Sequence, residues 1–368
     1  MKPRVLLVGR TRYRLPLNES IRRKFDALSQ EVEPHVLASS ADESRGDETF
    51  TLARRLPMLD GAAFWTLLPL RVARELRRRK PDAVLAQSPY DAAAALAGRA
   101  LVRSHARVVV DVHGDWRTAT RLYGSPLRRL LSPLGDRVSL AALRRADAVR
   151  TVSGYTEALV RDAGLEPAGS FPAFMDLDPF LAEPPAPLPA RPQALFVGVL
   201  EPYKGIDVLA EAWRLAAPRV PEATLRIVGS GSRVSVVECL VGERVSWARS
   251  LPAEEVARAL DESTVLVLPS RSEGMGRVVV EAQCRGRAVI GSRVGGIPDL
   301  VREGEKGLLV EPGDAAALAE ALVRVLSDRE LAMKLGAAAR EGVAIGSPEE
   351  YASRLRLLLE DTLLNSEP

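Results

Sequence analysis

Short apolar segments rich in β-branched residues recur along this 368-residue chain, and a longer segment with helical spacing follows each of them. The hydrophobicity within each apolar segment is continuous, which is typical of parallel strands that are covered on both faces. The pattern predicts an α/β fold with helices on either side of a parallel sheet. In the first half it gives strands at 4–9, 83–87, 107–112 and 148–153, and helices at 19–30, 61–80, 126–145 and 154–163.

A proline-rich segment at 183–192 divides the chain, with five prolines in ten residues. Proline continues neither a helix nor a central strand, so this segment is predicted to be a linker. The same alternation resumes beyond it, which predicts two doubly wound domains, 1–182 and 193–347. The second half gives strands at 193–200, 223–229, 263–269 and 288–292, and helices near 205–217, 252–261, 277–285, 328–342 and 348–364.

Charge is distributed unevenly, with 29 basic and 22 acidic residues in 1–188 against 22 and 26 in 189–368. The positive first half indicates contact with something anionic, such as phosphates or a membrane surface. Because no run of 18 apolar residues occurs and the first apolar run is too short for a secretion signal, we expect a cytoplasmic protein. Cys239 and Cys284 lack the spacing of a zinc site or a disulfide framework, and both are predicted to be buried thiols.

Peripheral membrane contact at the inner face of the membrane is a further expectation for the first domain. Residues 61–80 combine Phe64, Trp65, Leu67 and Leu68 with a basic end, and many arginines follow in 117–145. A basic amphipathic helix of this kind can bind anionic lipid. An ordinary core-packed helix with an arginine-rich solvated face explains the same pattern equally well.

The segment 196–213 has the outline of a phosphate site. A strand ends near Gly198, and Lys204 and Gly205 stand at the start of the next helix. The ammonium group and the amides of the first helical turn could therefore converge on one anion. The alternative is an exposed lysine at a helix start. Walker A spacing is absent.

The segment 225–232 contains Gly229 and Gly231, which allow a tight turn after a strand. The third glycine of a dinucleotide-binding fingerprint is replaced by Val234, so binding of a nicotinamide cofactor is not indicated. A structural turn and a loop facing a nucleotide are equally consistent with this segment.

The segment 263–286 is the most informative. It places a polar loop with Gly274 and Gly276 after a strand, Glu273 in that loop, and Glu281 in the helix that follows. A carboxylate accepts two hydrogen bonds, so Glu281 could hold a ribose diol and Glu273 the hydroxyls of a sugar. The alternative for Glu281 is an ion pair with Arg277 or Arg285, each four residues away.

Together these motifs resemble family 4 glycosyltransferases of the GT-B fold, in which two Rossmann-like domains face each other. The resemblance covers about 193–325, through G-x-L-x3-K-G, I-V-G-x-G, E-x7-E and the VGGIPDLV segment at 294–301. In the first domain, 146–160 resembles the family's A-D-x-V-x-x-V-S segment, and 172–180 takes the place of its crossover with Asp176 and Phe180 retained. The resemblance implies an acceptor-binding first domain that includes the closing helix at about 348–368, and a donor-binding second domain at 193–347.

Carried over to these residues, the resemblance implies a site for a nucleotide-diphosphate sugar. Lys204 would bind the diphosphate, Glu281 the ribose, and Glu273 with the backbone of 274–276 the sugar. His113 matches the histidine that many members place near the donor sugar, and Asp115 and Trp116 would meet the acceptor. The implied catalytic residues are His113, Lys204 and Glu273, and the implied donor-binding residues are Gly198, Lys204, Gly229, Glu273, Gly274, Met275, Gly276, Arg277 and Glu281.

Two features depart from the family pattern. Val199 stands where the family has an arginine beside the diphosphate, and we expect Arg10, Arg12, Arg14 or Arg277 to replace that contact. The glycine-rich loop after the first strand is also replaced, by the segment 9–18.

The implied reaction is sugar transfer to an acceptor hydroxyl with retention at the anomeric carbon, without a metal ion or a cofactor. The aspartates at 176–178 resemble a D-x-D metal motif but lie in the crossover, where a structural role is expected. One alternative is a nucleotide-sugar epimerase of the same fold. A nucleic-acid-binding protein is a second alternative, although aromatic residues make up only 5% and no recognition motif accompanies the arginines.

Overall fold

The computed structural model describes residues 2–42, 46–54, 60–117, 126–242, 244–343 and 346–364. Contacts between Cα atoms divide these residues into two compact units. The first comprises described residues within 2–117, 130–176 and 346–364, and the second comprises 126–129 and 177–343.

The first unit is built on a seven-stranded sheet in which all neighbouring strands are parallel, in the order β3-β2-β1-β4-β5-β6-β7. Its strands are β1 (Arg4–Tyr13), β2 (Glu33–Ser40), β3 (Phe50–Ala53), β4 (Ala83–Ala86), β5 (Arg107–Val112), β6 (Ala148–Thr151) and β7 (Gly169–Ser170). Its helices are α1 (Glu19–Glu31), α2 (Asp60–Arg79), α3 (Pro89–Val102), most of α4 (Pro126–Arg145), α5 (Gly154–Asp162) and, from the end of the chain, α14 (Pro348–Leu364). The first four residues of α4 are grouped with the second unit.

The second unit has a six-stranded parallel sheet in the order β10-β9-β8-β11-β12-β13. Its strands are β8 (Gln193–Val197), β9 (Thr224–Val228), β10 (Val245–Ala248), β11 (Val265–Leu268), β12 (Ala288–Ser292) and β13 (Gly307–Val310). Its helices are α6 (Asp178–Leu181), α7 (Ile206–Ala216), α8 (Val234–Glu238), α9 (Ala253–Asp261), α10 (Arg277–Cys284), α11 (Ile297–Leu300), α12 (Ala315–Ser327) and α13 (Arg329–Glu341), with a 3-10 turn at Pro202–Lys204.

Both sheets confirm the predicted α/β class with doubly wound topology. In each, the first strand along the chain lies between the second and the fourth, so the connections reverse direction at the β1/β4 and β8/β11 pairs. Every residue of β4 and of β11 is buried, as the continuous apolar segments predict. In this topology the loops at the carboxyl ends of the strands next to the reversal point form the natural ligand site.

The C-terminal helix α14 belongs to the core of the first unit. Leu355, Leu358 and Leu359 are buried there in one apolar cluster with Phe25 and Leu28 of α1. The helix is amphipathic, since Leu357 on the same helix is exposed. Burial of this leucine stripe holds the last helix against the start of the chain.

Several parts of the structure differ from the sequence predictions. β1 continues to Tyr13 through part of the segment expected to be a loop, with a register shift against β2 between Val8 and Arg12. Beyond the shift most residues of β1 are no longer buried, so the apolar segment that predicts the strand ends before the strand does. Cys239 is exposed, contrary to the prediction of two buried thiols, because it follows directly after the short helix α8. Cys284 is buried as expected.

The apolar side chains of α2 divide between its buried face and its exposed face. Phe64 and Leu68 are buried in the core of the first unit, whereas Leu67 and Leu70 are exposed. The predicted lipid-binding set of Phe64, Trp65, Leu67 and Leu68 is therefore wrong for its buried members, because helical periodicity directs them inward. Among the described residues, no helix has the length and apolar character needed to cross a bilayer.

The packing of α14 can be tested with two leucines of the same helix. Leu359→Ala should lower the free energy of unfolding of the first unit by about 2–5 kcal/mol, because it leaves a cavity in the core. Leu357→Ala should change it by less than about 0.5 kcal/mol, since its side chain is already 60% exposed. Urea denaturation followed by circular dichroism measures both. Equal losses in the two variants would show that α14 is not anchored by this stripe.

Candidate active site

The strongest candidate site lies in the second unit, at the carboxyl ends of β8 and β11. The connection after β8 contains the turn Pro202–Lys204, and the connection after β11 contains Glu273. Because β8 and β11 are neighbours at the reversal point, residues separated by about seventy positions in sequence are brought to one edge of the sheet.

Lys204 and Glu273 are brought together at this edge. The ammonium group of Lys204 donates a hydrogen bond to Glu273 Oε2, and the two side chains are only 13% and 14% exposed. A partly buried ammonium beside a carboxylate offers both donors and acceptors to a ligand. The motifs of the sequence predict both residues in one site but not the contact between them.

Arg271 fixes the position of the turn that ends at Lys204, a role that no motif of the sequence predicts. Its backbone N–H donates to Tyr203 O at 2.7 Å, and its guanidinium donates to Pro202 O at 2.8 Å. The same guanidinium pairs with both carboxylate oxygens of Asp207 in α7, and this hydrogen bonding lowers the pKa of Asp207. The only signal in the sequence is an arginine three residues after a buried strand.

Glycines let the loops of the site approach each other closely. A Cβ atom at Gly205 would lie 2.0 Å from Pro269 O, and one at Gly229 would lie 1.9 Å from Gly198 O. Gly198 itself borders the alkyl chain of Lys204, since a Cβ there would lie 3.9 Å from its Cδ atom. Any side chain at Gly205 or Gly229 would push the loops around Lys204 apart.

The loop after β12 supports the backbone of Glu273. Gly295, with φ of 59°, passes so close that a Cβ atom would lie 1.7 Å from Glu273 O, and the N–H of Gly296 donates to the same oxygen at 3.2 Å. This explains the position of the VGGIPDLV segment in the site, because its glycines allow the contact.

The helix α10 begins directly after Gly274, Met275 and Gly276, and Gly276 is its N-cap with φ of 79°. Its N-terminus therefore adjoins the Glu273 loop, where backbone amides favour a negative group.

Glu281, on the same helix, is buried, and Arg277 Nε donates to its Oε1 at 3.0 Å. Burial raises the pKa of Glu281, and Arg277 opposes that shift. Of the two alternative partners considered for Glu281, the structure shows Arg277. Arg285 turns away to pair with Asp261 and backbone carbonyls near the proline-rich segment.

The arginines expected to replace the missing contact at Val199 have other neighbours. Val199 is exposed, Arg14 pairs with Asp42, and Arg277 pairs with Glu281. Arg10 and Arg12 lie on β1 of the first unit. Arg277 is the expected replacement that lies within the second unit itself, at the first residue of α10.

In the first unit, His113 follows directly after β5, and its Nε2 lies 3.0 Å from Asp111 Oδ2. Asp115 accepts a hydrogen bond from the backbone N–H of Arg117 at 2.9 Å. Trp116 is 5% exposed and belongs to the apolar core, with the guanidinium of Arg117 over its ring. Core packing covers most of the Trp116 ring, and the predicted contact of Asp115 and Trp116 with an acceptor stays a prediction.

Among the described residues, no group of three or more His, Cys, Asp or Glu side chains has a metal-binding arrangement. Asp176 of the predicted crossover is buried and accepts a hydrogen bond from Arg23 at 2.7 Å. This contact gives Asp176 a structural partner within the first unit.

Two families match this chain, one in each half. Residues 20–170 match Glycosyltransferase Family 4, and residues 183–342 match Glycosyl transferases group 1.

Individual curated proteins are also similar to this chain. D-inositol 3-phosphate glycosyltransferase of Corynebacterium glutamicum is 34% identical over 46% of this chain and 43% of its own length. The GDP-mannose-dependent alpha-(1-6)-phosphatidylinositol monomannoside mannosyltransferase of Mycobacterium tuberculosis is 30% identical over 68% of each chain. This chain thus spans less than half of the first relative and about two thirds of the second.

Solved structures are similar along the whole chain. Sucrose-phosphate synthase from Thermosynechococcus elongatus matches with a TM-score of 0.80 and 22% identity, covering 100% of both chains. Anabaena Alr3699/HepE in complex with UDP-glucose matches with a TM-score of 0.69 and 16% identity, covering 98% of this chain and 99% of that one. These similarities confirm the predicted GT-B fold.

The support of the Glu273 loop can be tested with two glycines that share a left-handed backbone. Gly295→Ala should destabilise the second unit by about 1–3 kcal/mol more than Gly304→Ala, because the new methyl group overlaps Glu273 O. Gly304 has φ of 72° and no atom within 4 Å of a Cβ, so it controls for backbone strain alone. Differential scanning calorimetry compares the two. Equal destabilisation would show that the loop after β12 can shift to accommodate the methyl group without further loss of stability.

Proposed function

The chain belongs to glycosyltransferase family 4, and on this premise we propose that it transfers a sugar from a nucleotide-diphosphate sugar to an acceptor hydroxyl. The observation that carries the proposal is the contact of Lys204 with Glu273 at the reversal point of the second sheet, beside the N-terminus of α10. One ammonium group, a carboxylate and a row of backbone amides suit a ligand that is both anionic and rich in hydroxyl groups.

The diphosphate of the donor is assigned to Lys204 and the amides at the start of α10. An ammonium group has three N–H donors, and Glu273 engages one of them, so the others can meet phosphate oxygens. Negative charge grows on the diphosphate as the glycosidic bond breaks. A fixed cation and fixed helix amides stabilise that charge without reorganising, which is the main electrostatic requirement of the reaction.

Glu281 is assigned to the ribose and Glu273 to the donor sugar. Glu281 is buried one turn into α10, so its hydrogen-bonding direction is fixed by the helix and by Arg277. Glu273, with the backbone of Gly274, Met275 and Gly276, is assigned to the sugar that is attached to the diphosphate. His113 of the first unit is assigned to the same sugar, as the family resemblance implies.

The proposed reaction proceeds with retention, and the donor phosphate accepts the proton of the acceptor hydroxyl on the face from which it departs. This assignment is supported by the composition of the site, in which each carboxylate already has a cationic partner: Lys204 for Glu273 and Arg277 for Glu281. Neither carboxylate is therefore arranged as an unpaired nucleophile. We also propose that no metal ion or organic cofactor is needed, because Lys204 and helix amides supply the charge compensation.

The donor assignment predicts the effect of two substitutions. Lys204→Ala and Glu281→Ala should each weaken donor binding or turnover more than tenfold, because each removes a contact to the nucleotide diphosphate; a tenfold loss is about 1.4 kcal/mol. Lys334→Ala, on the exposed face of α13, is the matched control and should leave both unchanged. Isothermal titration calorimetry and a transfer assay measure the effects. Wild-type binding and turnover in both site variants would refute the assignment.

The base and sugar of the donor can be found by a thermal-shift screen of UDP, GDP, ADP and dTDP sugars, since a bound ligand stabilises the folded state. The Mycobacterium tuberculosis relative is named as GDP-mannose-dependent, and a structural neighbour is described with UDP-glucose. These two donors are therefore the first to test.

Two outcomes would favour the alternative functions. Isomerised donor without any acceptor would favour an epimerase. Salt-sensitive binding to random oligonucleotides without donor binding would favour a nucleic-acid-binding protein.

Peripheral contact with anionic lipid is proposed for the surface between α2 and α3. One groove there is lined by Leu70, Ala73, Arg74, Arg77, Arg78, Leu101 and Val102. The three arginines are exposed and form no ion pair with a described carboxylate. Exposed leucines beside exposed arginines match acyl chains beside anionic headgroups.

This surface predicts salt-sensitive binding to vesicles. The double variant Leu70→Ser/Leu101→Ser should bind phosphatidylglycerol-containing vesicles several-fold more weakly than the wild type, because it loses two leucines that are 60% and 57% exposed. Leu215→Ser/Leu357→Ser removes two exposed leucines elsewhere and is the matched control. Co-sedimentation at low and moderate salt measures both. Binding that responds to neither lipid charge nor salt would refute membrane contact.

A further inference from the structure

We propose that Asp111 is a positioning residue for His113: its carboxylate fixes the imidazole tautomer with hydrogen on Nε2 and leaves Nδ1 to accept a hydrogen bond from a hydroxyl of the donor sugar. This inference rests on the proposed function, which assigns His113 to that sugar. Its first part concerns only the geometry of the first unit and can be tested without any ligand.

The strand register places Asp111 beside an unusual partner. Asp111 of β5 and Arg150 of β6 are paired across the two parallel strands, and both side chains are buried. Arg150 Nη1 donates to Asp111 Oδ1 and Oδ2, each at 2.6 Å. A buried arginine and a buried aspartate in central strands interrupt runs of apolar residues, so packing alone does not explain them.

Arg150 is itself held on two further sides. Its Nη2 donates to the carbonyl oxygens of Phe171 and Pro172, both at 2.8 Å. Its guanidinium lies 3.9 Å above the centroid of the Phe171 ring and 5.4 Å from that of Tyr351 in α14. The planar guanidinium therefore has one orientation, and it fixes the rotation of the Asp111 carboxylate.

The carboxylate can only accept hydrogen bonds. Burial by itself would raise its pKa, but His113 and Arg150, with a contribution from Lys24, hold the pKa of Asp111 at about 2. His113 Nε2 lies 3.0 Å from Oδ2, so this nitrogen must carry the hydrogen in the bond. In the neutral ring Nδ1 is then the acceptor.

The His113 side chain is 43% exposed, whereas Asp111 is only 4% exposed. The histidine also stands immediately after β5, at the carboxyl end of the sheet where ligands of such folds bind. A fixed, buried carboxylate is therefore hydrogen-bonded to an imidazole ring that is partly exposed. Asp111 acts on a ligand through His113 and does not touch it.

The test is the histidine tautomer, measured by ¹⁵N NMR of the full chain well above the ordinary histidine pKa. We expect His113 to carry its hydrogen on Nε2. His35 supplies an internal reference of the opposite kind, because its Nδ1 lies 3.2 Å from Glu48 O, which can only accept. Burial of His35 and the nearby Arg79 lower its pKa to about 4, which keeps this ring neutral.

Asp111→Asn should invert the tautomer of His113. Arg150 still binds the amide oxygen, so the amide NH₂ turns toward Nε2, which must become the acceptor. An Asp→Asn change beside a catalytic histidine inverts the tautomer in this way in serine proteases. His35 should be unchanged in the same spectrum. An unaltered His113 tautomer in the folded variant would overturn the inference.

The second readout separates sugar from nucleotide. Asp111→Asn should lower the rate of transfer from UDP-glucose or GDP-mannose by on the order of tenfold to a hundredfold, because the acceptor at Nδ1 is lost. Binding of UDP and GDP, which carry no sugar, should be unchanged. Loss of UDP and GDP binding together with loss of transfer would indicate general damage to the fold and would overturn a positioning role.

A second variant keeps the inference testable if Asp111→Asn does not fold. Asp111→Leu/Arg150→Leu replaces the buried pair with apolar residues, an exchange that folded proteins often tolerate. It should fold, keep UDP and GDP binding, and show the same loss of transfer. Full transfer in this variant would overturn the inference. If the wild type shows the expected tautomer but neither binds nor transfers any nucleotide sugar, the proposed function fails and the control of His113 by Asp111 stands.

Discussion

The adjacency of β8 and β11 in the second sheet is the constraint on which the candidate site depends. Only this pairing brings the loop that ends at Lys204 next to the loop that contains Glu273, and the ion pair between them forms across that boundary. The neighbouring loops are then drawn in by backbone contacts that glycines permit, at Gly205, Gly229 and Gly295. The site is thus a property of the sheet order, and its chemistry is carried by a few side chains on rigid supports.

Buried charge is handled differently in the two units. In the second unit Lys204 pairs with Glu273 and Arg277 pairs with Glu281, and each of these side chains keeps some exposure to solvent. In the first unit Asp111 and Arg150 are buried inside the sheet layer and pair with each other, and each has a further partner: His113 for Asp111 and two backbone carbonyls for Arg150. Breaking such a buried pair by removing one partner costs about 3–5 kcal/mol, whereas replacing both partners can be nearly neutral. What this pair does hold in place is the Asp111 carboxylate, whose Oδ2 lies 3.0 Å from His113 Nε2.

Much of the fold and part of the site could be predicted from residues alone. Continuous apolar runs gave the central strands of both sheets correctly, because burial on both faces leaves a direct trace in the sequence. The outer strands β3, β7, β10 and β13 were not predicted, since segments of two to four residues carry little pattern. The longer strand β2 and the helices α3 and α12 were also not predicted. The motifs singled out Lys204, Glu273 and Glu281 as candidate site residues, and the family resemblance supplied their predicted roles. Arg271, Asp111 and Arg150 were missed, because their roles depend on partners that lie far away in sequence.

The same reasoning explains two corrections. Phe64 is a large apolar side chain that sequence alone could place on a surface or in a core, and packing placed it in the core. Cys239 follows a helix of only five residues, which is too short to bury its end. In each case the residue type was compatible with both environments, and the neighbours decided.

By itself the sequence determined the alternation of strands and helices, the division into two doubly wound parts, and the types of residue available for a phosphate and a sugar. These are local properties, since apolar periodicity, proline and glycine act within a few residues of their own position. The tertiary structure alone decided which strands became neighbours, and hence that Lys204 meets Glu273 and that Asp111 stands between Arg150 and His113. Contacts of this kind depend on sheet order and strand register, which arise from burying the whole core at once and leave no mark on any single segment.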